Sequence, residues 1–488
     1  MLLVIALTFP IGQVHADNTE GTLLNDIHSQ LNATRHLRVV TPRNVEEIQQ
    51  VVRDAGRLGQ AVSISGGRHA MGGQQFGANT VHLSMSAFNR VIGLDASRGI
   101  VEVESGIQWP ELVGWLQSHQ HQRGVSRPWG IRQKQTGADR LSIGGALSSN
   151  VHGRGLAMRP IIADVDSFTL VDATGQMKTC SREQNAELFR LAIGGYGLFG
   201  VITTVKLRLA PVSILERVVE LIDVAAFIPL VTERIRQGFL YGDLQFAIDP
   251  QSPDFLRRGI YSLYRPVARD LADLGQQKEL RGEDWNELYR LAHADKSRAF
   301  DTYAKFYLAT NGQLYRSDTH QLGVYVDDYH QKLDGNEKAS EMISEIYVPR
   351  AQLPVLFDQL REDFRQHHVN VVYGTVRLIE QDSESFLAWA RENFVATVFN
   401  FHIDHSPEGI DRAQTQFRLL IDRALALGGS YFLTYHRWAR KDQVLKAYPQ
   451  FVEFLRLKRR YDPSEVFQSD WYRHYRDMFQ EELSRSPS

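Results

Sequence analysis

Apolar residues recur along this chain in two periods, and the period changes from segment to segment. Val45, Ile48, Val51, Val52, Ala55 and Leu58 follow helical spacing, with Thr41-Pro42 ahead and Gly59 behind. That pattern predicts an amphipathic helix with its start and stop signals in place. Residues 61–65 read as a short strand, and 80–83 is a second apolar run. Residues 90–94 and 100–104 alternate in polarity around 95–99 and read as a hairpin. A helix is expected at 109–116, with Pro110 in its tolerant first turn. Residues 168–172 and 201–209 read as strands, the first turning at 173–175.

Pro211 marks a change of character. Beyond it Tyr, Phe and charged residues increase and the glycine clusters stop. Helical patterns at 224–237, 352–367 and 414–426 alternate with strand-like runs at 240–248, 345–349, 369–379, 395–403 and 430–435. The last part, 451–479, is helical around 461–467 and reads as a return onto the first domain. The expected class is therefore α+β, with a first domain over 35–211, a second, α+β domain over 212–450 whose sheet covers a ligand held by the first, and a return over 451–488.

The start changes the picture once. Residues 2–11 are apolar and lead to Val14-His15-Ala16, a secretory-signal pattern over 1–16 that predicts export to the periplasm or the extracellular space. It lacks the usual early Lys or Arg, and it is too short to span a bilayer, which takes roughly 20 apolar residues. Composition narrows the partners. The 488 residues are 43% hydrophobic and 23% charged, with net charge −2 and no basic tract, so neither nucleic acid nor a membrane surface is an expected partner. Cys180 is the one cysteine, which excludes an intramolecular disulfide and a cysteine-rich metal site.

Three glycine clusters carry the candidate chemistry. The first is Ser65-Gly66-Gly67-Arg68-His69-Ala70-Met71-Gly72-Gly73-Gln74. Successive main-chain N–H groups in such a turn make a concavity for an anion such as a pyrophosphate. It is not a P-loop, which ends in Gly-Lys-Ser/Thr, and it does not open into a helix as a Rossmann loop must. His69 at its centre is a nucleophile. The second cluster, 142–155, is dominated by small residues that let a flat ligand approach the main chain. The third, 194–200, runs directly into the 201–209 strand.

Together these clusters resemble the FAD-linked oxidoreductases of the vanillyl-alcohol-oxidase type, with their PCMH-type FAD domain, over residues 35–211 and more weakly at the C-terminal return. Within that family the motifs look nearest to cytokinin dehydrogenases and to sugar-alcohol and aldonolactone oxidases, since Gly67, His69 and Gln74 match a Gly-x-His-x-x-x-x-Gln spacing. The resemblance implies FAD, covalently held by an imidazole nitrogen of His69 at the flavin 8α carbon. It implies that Ser65, Gly66, Gly67, Arg68, His69 and Ala70 hold the pyrophosphate. Ser142, Gly145, Ser148 and His152 fall at further cofactor contacts, and Ile202 where main-chain groups meet the adenine half. Ala70 departs from the family's usual Ser, and no cysteine in the second cluster offers a second covalent bond.

The implied activity is hydride removal from a small alcohol, sugar derivative or amine to flavin N5, with oxygen, a quinone or a protein as final acceptor. A base must accept the proton released as the hydride leaves. Three candidates come from partial matches. Asp139 lies near the catalytic aspartate of cytokinin dehydrogenases, offset by two residues. Arg377 resembles the strand arginine of sugar-alcohol oxidases, although Thr375 replaces the accompanying glutamate. His436, in Tyr435-His436-Arg437-Trp438, resembles the His-Trp segment of aldonolactone oxidases with one residue inserted. His402 and Asp404 share a strand face, but two ligands are too few for a metal, so no metal site is expected there and His402 reads as structural. A flavin-binding protein without turnover, a cytokinin-dehydrogenase-like amine dehydrogenase using a quinone, and a protein without flavin are the alternatives.

Overall fold

The computed structural model describes residues 21–323 and 338–485; the signal expected at 1–16 lies outside them. The first lobe is built on two small sheets. A three-stranded parallel sheet has the order Arg38–Val40, Val81–Ser84, Val62–Ser65. It is covered by the predicted helix, Val45–Leu58, whose N-terminus is capped by the Asn44 side chain and whose C-terminus ends at Gly59 in the left-handed region. Ile48, Val52 and Ala55 are fully buried against Val62, Val81 and Leu83.

The second sheet of this lobe has five strands in the order Met177–Ser181, Val165–Val171, Val201–Arg208, Ile100–Glu104, Val91–Asp95. The last two form the expected hairpin. The free edge of the parallel sheet is met by the C-terminal segment. Val62 donates to the Val466 carbonyl at 2.6 Å, and Gln468 donates to the Val62 carbonyl at 3.0 Å. An open strand edge is thereby satisfied by residues about 400 positions away in sequence.

The second glycine cluster departs from its reading as a small-residue turn. Ile143–Ser149 is a short helix, with the Ser142 hydroxyl accepting from the Gly145 N–H. Glycine and serine are poor helix formers, so propensity argues against it. Packing overrides propensity here: Ile143, Ala146 and Leu147 are fully buried, and a Cβ on Gly144 would sit 2.9 Å from the Ser105 side chain.

The second lobe carries an eight-stranded sheet. Its order is Leu314–Arg316, Ile214–Asp223, Arg258–Val267, Tyr241–Phe246, Val371–Ile379, Phe394–Asp404, Ala339–Pro349, Ser430–Tyr431. Two long strands, Ile214–Asp223 and Arg258–Val267, have no counterpart in the hydrophobic pattern. Charges at 216, 217, 220 and 223 interrupt the apolar pattern of the first, and the fold pairs two of them, Glu216 with Arg265 of the second strand at 2.8 Å and Glu220 with Arg234 of the helix Phe227–Arg236 at 3.1 Å. The run at 430–435 yields only two strand residues.

Alternation sets the two faces of this sheet. Phe246, Phe399 and Phe401 point toward the helices Leu353–Gln366 and Pro407–Ala426, against Phe357, Phe364 and Phe417. The other face carries Glu345, Asn400 and Arg377 and roofs the first lobe. The lobes are joined by buried polar contacts, among them Asn150 to Asp382 at 2.8 Å and Trp389 to the Asn150 carbonyl at 3.1 Å. This is an α+β architecture, and no described helix is long and apolar enough to cross a membrane.

Candidate active site

One elongated cavity lies between the lobes. Its floor is made by all three glycine clusters and its roof by the polar face of the large sheet. Ser65, Gly66, Gly67, Arg68, His69, Ala70, Gln74, Ser142, Gly145, Ser148, His152 and Ile202 all line it, as does Arg377. Thirteen residues spread over more than 300 positions are thus gathered in one place.

The first turn is pressed onto the second cluster. A Cβ on Gly66 would fall 1.8 Å from the Ser142 hydroxyl oxygen, and one on Gly67 would fall 2.3 Å from the Arg140 carbonyl oxygen. Both positions therefore require glycine. Arg68 adopts a φ of 58°, in the left-handed region that disfavours a side chain. Among the described residues, none of the five successive main-chain N–H groups of 66–70 has a protein acceptor. Unpaired N–H groups in series fit a pyrophosphate. At the other end of the floor the ladder slips between Ile202 and Thr204. Ile202 lines the cavity at this slip, where the adenine half is expected. The residues present therefore fit FAD.

His69 is 7% exposed. Its Nδ1 lies 2.8 Å from Nε2 of His28. Its own Nε2 stands beside the Arg140 carbonyl outside hydrogen-bond geometry. Burial, reinforced by His28, pulls its pKa down to about 3. The ring is neutral at any ordinary pH and keeps a lone pair, as a nucleophile must. Gln74 anchors the turn by donating to the carbonyls of Leu433 and Thr434 at 2.8 and 3.1 Å.

The roof holds a group that the sequence pattern missed. Glu345 is buried, with one oxygen 2.5 Å from Nε2 of His152 and the Tyr435 hydroxyl 3.2 Å from the other. Burial opposes its ionisation, but His152 and then Arg377 outweigh that and hold its carboxyl below the usual range. The one available signal was a carboxylate inside the apolar run 342–348. Arg377 is 8% exposed, and its guanidinium forms no ion pair or hydrogen bond among the described residues. It acts on the Glu345 carboxyl through space, and its hydrogen-bonding capacity is left for an oxygen-bearing ligand of the cavity.

Two of the expected catalytic side chains are not brought to the cavity. Asp139 sits behind the wall, bound to Lys134 at 2.6 Å and accepting from the Gly323 N–H at 2.8 Å. Its neighbours Ala138 and Leu141 line the space instead. His436 is a core residue, with Phe417 edge-on at 4.3 Å and Tyr431 stacked at 6.3 Å. Its Nδ1 accepts from the Trp438 N–H at 3.3 Å, and burial pulls its pKa down to about 3. The partial motif matches placed both residues near the site in sequence, but packing turns their side chains elsewhere.

The arrangement defines a class, a protein with a dinucleotide floor and a separate polar roof over one cavity. Residues 37–181 match the family model of the FAD binding domain. The chain is 31% identical to an uncharacterized oxidoreductase of the fasciation locus of Rhodococcoides fascians, over 40% of this chain and 41% of that protein. It is 30% identical to L-gulonolactone oxidase of Bos taurus over 35% of this chain and 36% of the oxidase. It is 28% identical to cytokinin dehydrogenase 5 of Oryza sativa subsp. japonica over 37% of this chain and 35% of the dehydrogenase. The similarity thus spans well under half the length of these curated relatives.

Proposed function

We propose that this chain is an FAD-dependent oxidoreductase that removes a hydride from a C–H next to oxygen in a small alcohol or sugar derivative. One observation carries the reading. The nucleotide-binding floor with His69 and the polar roof with Arg377 and Glu345 face each other across a single cavity. The bound flavin supplies the two-electron acceptor, and the protein binds, orients and tunes it.

The residues divide the remaining work. The N–H groups of 66–70 take the pyrophosphate, and neutral His69 provides one nitrogen for a single covalent bond to the flavin ring. Glu345 takes the substrate hydroxyl proton on the oxygen that faces Tyr435. His152 holds the other oxygen. Its Nδ1 lies 3.0 Å from the Gly153 carbonyl, which can only accept, so Nδ1 carries hydrogen. Its Nε2, 2.5 Å from Glu345, fixes the carboxylate in place. Arg377 binds the substrate oxygen and stabilises negative charge as it develops there. An unpaired guanidinium repels a protonated amine, which favours alcohols and sugar derivatives over amines. The electrons pass on to oxygen or to another acceptor. The apolar start and Val14-His15-Ala16 support export.

Absorbance of the purified chain before and after acid precipitation tests the cofactor. Yellow retained in the pellet, and lost from it in His69→Ala, is expected; yellow released into the supernatant rejects the covalent bond alone. Anaerobic bleaching by a panel of alcohols, aldonolactones and amines tests turnover. If no member bleaches the flavin, the oxidoreductase reading fails. Peroxide formed on repeating the reaction in air identifies oxygen as acceptor.

A further inference from the structure

The roof of the cavity continues past the proposed reaction site. In the register of the large sheet Glu341 stands directly opposite His402, so the two side chains lie side by side on the cavity face. Glu341 Oε1 is 2.9 Å from Nδ1 of His402 and 3.6 Å from Nε2 of His293, which comes from the helix Gly282–Ala294. The two imidazole rings stand edge to face with centroids 4.8 Å apart. All three ligand atoms fall within 4.8 Å of one another. Glu341 lines the same cavity as His69 and Arg377, about 13 Å along the strand from Glu345.

His402 and Asp404 alone are two ligands and too few. The tertiary structure changes both the number and the roles. Register adds Glu341, a helix adds His293, and Asp404 becomes the outer partner of His402, with Oδ1 3.7 Å from Nε2. A metal-bound histidine commonly gives its second ring nitrogen to a carboxylate in this way.

We propose that His293, Glu341 and His402 bind a divalent transition-metal ion of the zinc class. The donor set selects the metal. Two imidazoles and one carboxylate suit zinc, cobalt or nickel, whereas calcium and magnesium require more oxygen. At metal–ligand distances of about 2.0–2.2 Å, tetrahedral ligand atoms lie roughly 3.4 Å apart. The 2.9 and 3.6 Å separations bracket that value, and a small rotation of partly exposed His293 closes the third. Lys296, the cation that acts on His402, directs its ammonium to the carbonyls of Ala292 and Val371. This proposal does not depend on the flavin reading.

Cobalt titration of the chelator-stripped full chain tests it, with flavin content recorded in every sample. One equivalent of Co²⁺ is expected to develop a visible d–d spectrum that Zn²⁺ abolishes. His293→Ala and Glu341→Gln are each expected to weaken binding by at least about tenfold. His121→Ala, at an exposed helix end, leaves the titration unchanged. Absence of a stoichiometric cobalt spectrum in the unaltered chain overturns the proposal without reference to any variant. So does a spectrum that survives both His293→Ala and Glu341→Gln, which assigns the ion to other surface histidines.

Discussion

The two lobes build their halves of the cavity by opposite means. The first lobe uses contiguous turns whose main-chain N–H groups face the cavity, so that residues 65–70 line it as one continuous segment. The second lobe uses single side chains from separate strands. Glu345, Asn400 and Arg377 belong to three strands and meet only because the sheet order and register bring them to one face. A main-chain site is tied to local sequence, while a sheet-face site can exchange residues at any strand without disturbing the backbone. The comparisons follow the same line: the matched family domain, residues 37–181, lies wholly in the first lobe.

Substitutions on the two sides of the cavity sharpen this contrast. Glu345→Gln removes the proposed proton acceptor and is expected to slow anaerobic flavin reduction by about 10²–10⁴-fold while leaving flavin content unchanged. Stopped-flow absorbance measures the rate; a Gln variant with native rate ends its role. Arg377→Met is expected to lower kcat/KM by about 10²–10³-fold; a variant with native kcat/KM ends its role at the substrate oxygen.

The pH dependence separates the lobes further. The Glu345 carboxyl is held below its usual range. Its stabilising contribution is therefore complete above the unfolded value of about 4.3 and is lost as pH falls through the lower folded value. The acid limb of turnover is expected below about pH 4.3 for the same reason. His152→Asn removes the charge that opposes burial, and it should move that limb upward in a pH–rate profile.

In the first lobe the sign reverses in origin but not in direction. His69 and His82 are held at about 3 by burial, against about 6.5 when unfolded. The unfolded chain binds more protons between those values, so stability falls as pH drops from about 6.5 toward 3. His436, also at about 3, adds to this from the second lobe. Thermal melts across that range should show the decline, and His436→Gln should flatten it. The smallest effect is expected at His28. His28→Ala leaves the Nδ1 of His69 without its 2.8 Å contact, and it should slow formation of acid-stable flavin without preventing FAD binding. Unaltered kinetics of incorporation would show that the contact is incidental.

Legibility followed the same division. The helix Val45–Leu58, the hairpin and the glycine turns that line the cavity could be located because their signals are local: period, cap, glycine. The strand Ile214–Asp223 could not, because charges at 216, 217, 220 and 223 break its apolar alternation. Asp139 and His436 were misplaced because a partial motif reports chain position and not side-chain direction.

Sequence alone therefore determined the glycine-rich floor of the cavity, since glycine spacing dictates backbone shape. Only tertiary structure decided the roof. The pairing of Glu345 with His152, the isolation of Arg377 and the meeting of His293 with Glu341 and His402 depend on strand register and lobe contact. A one-residue slip in register would turn each of those strand residues to the opposite face.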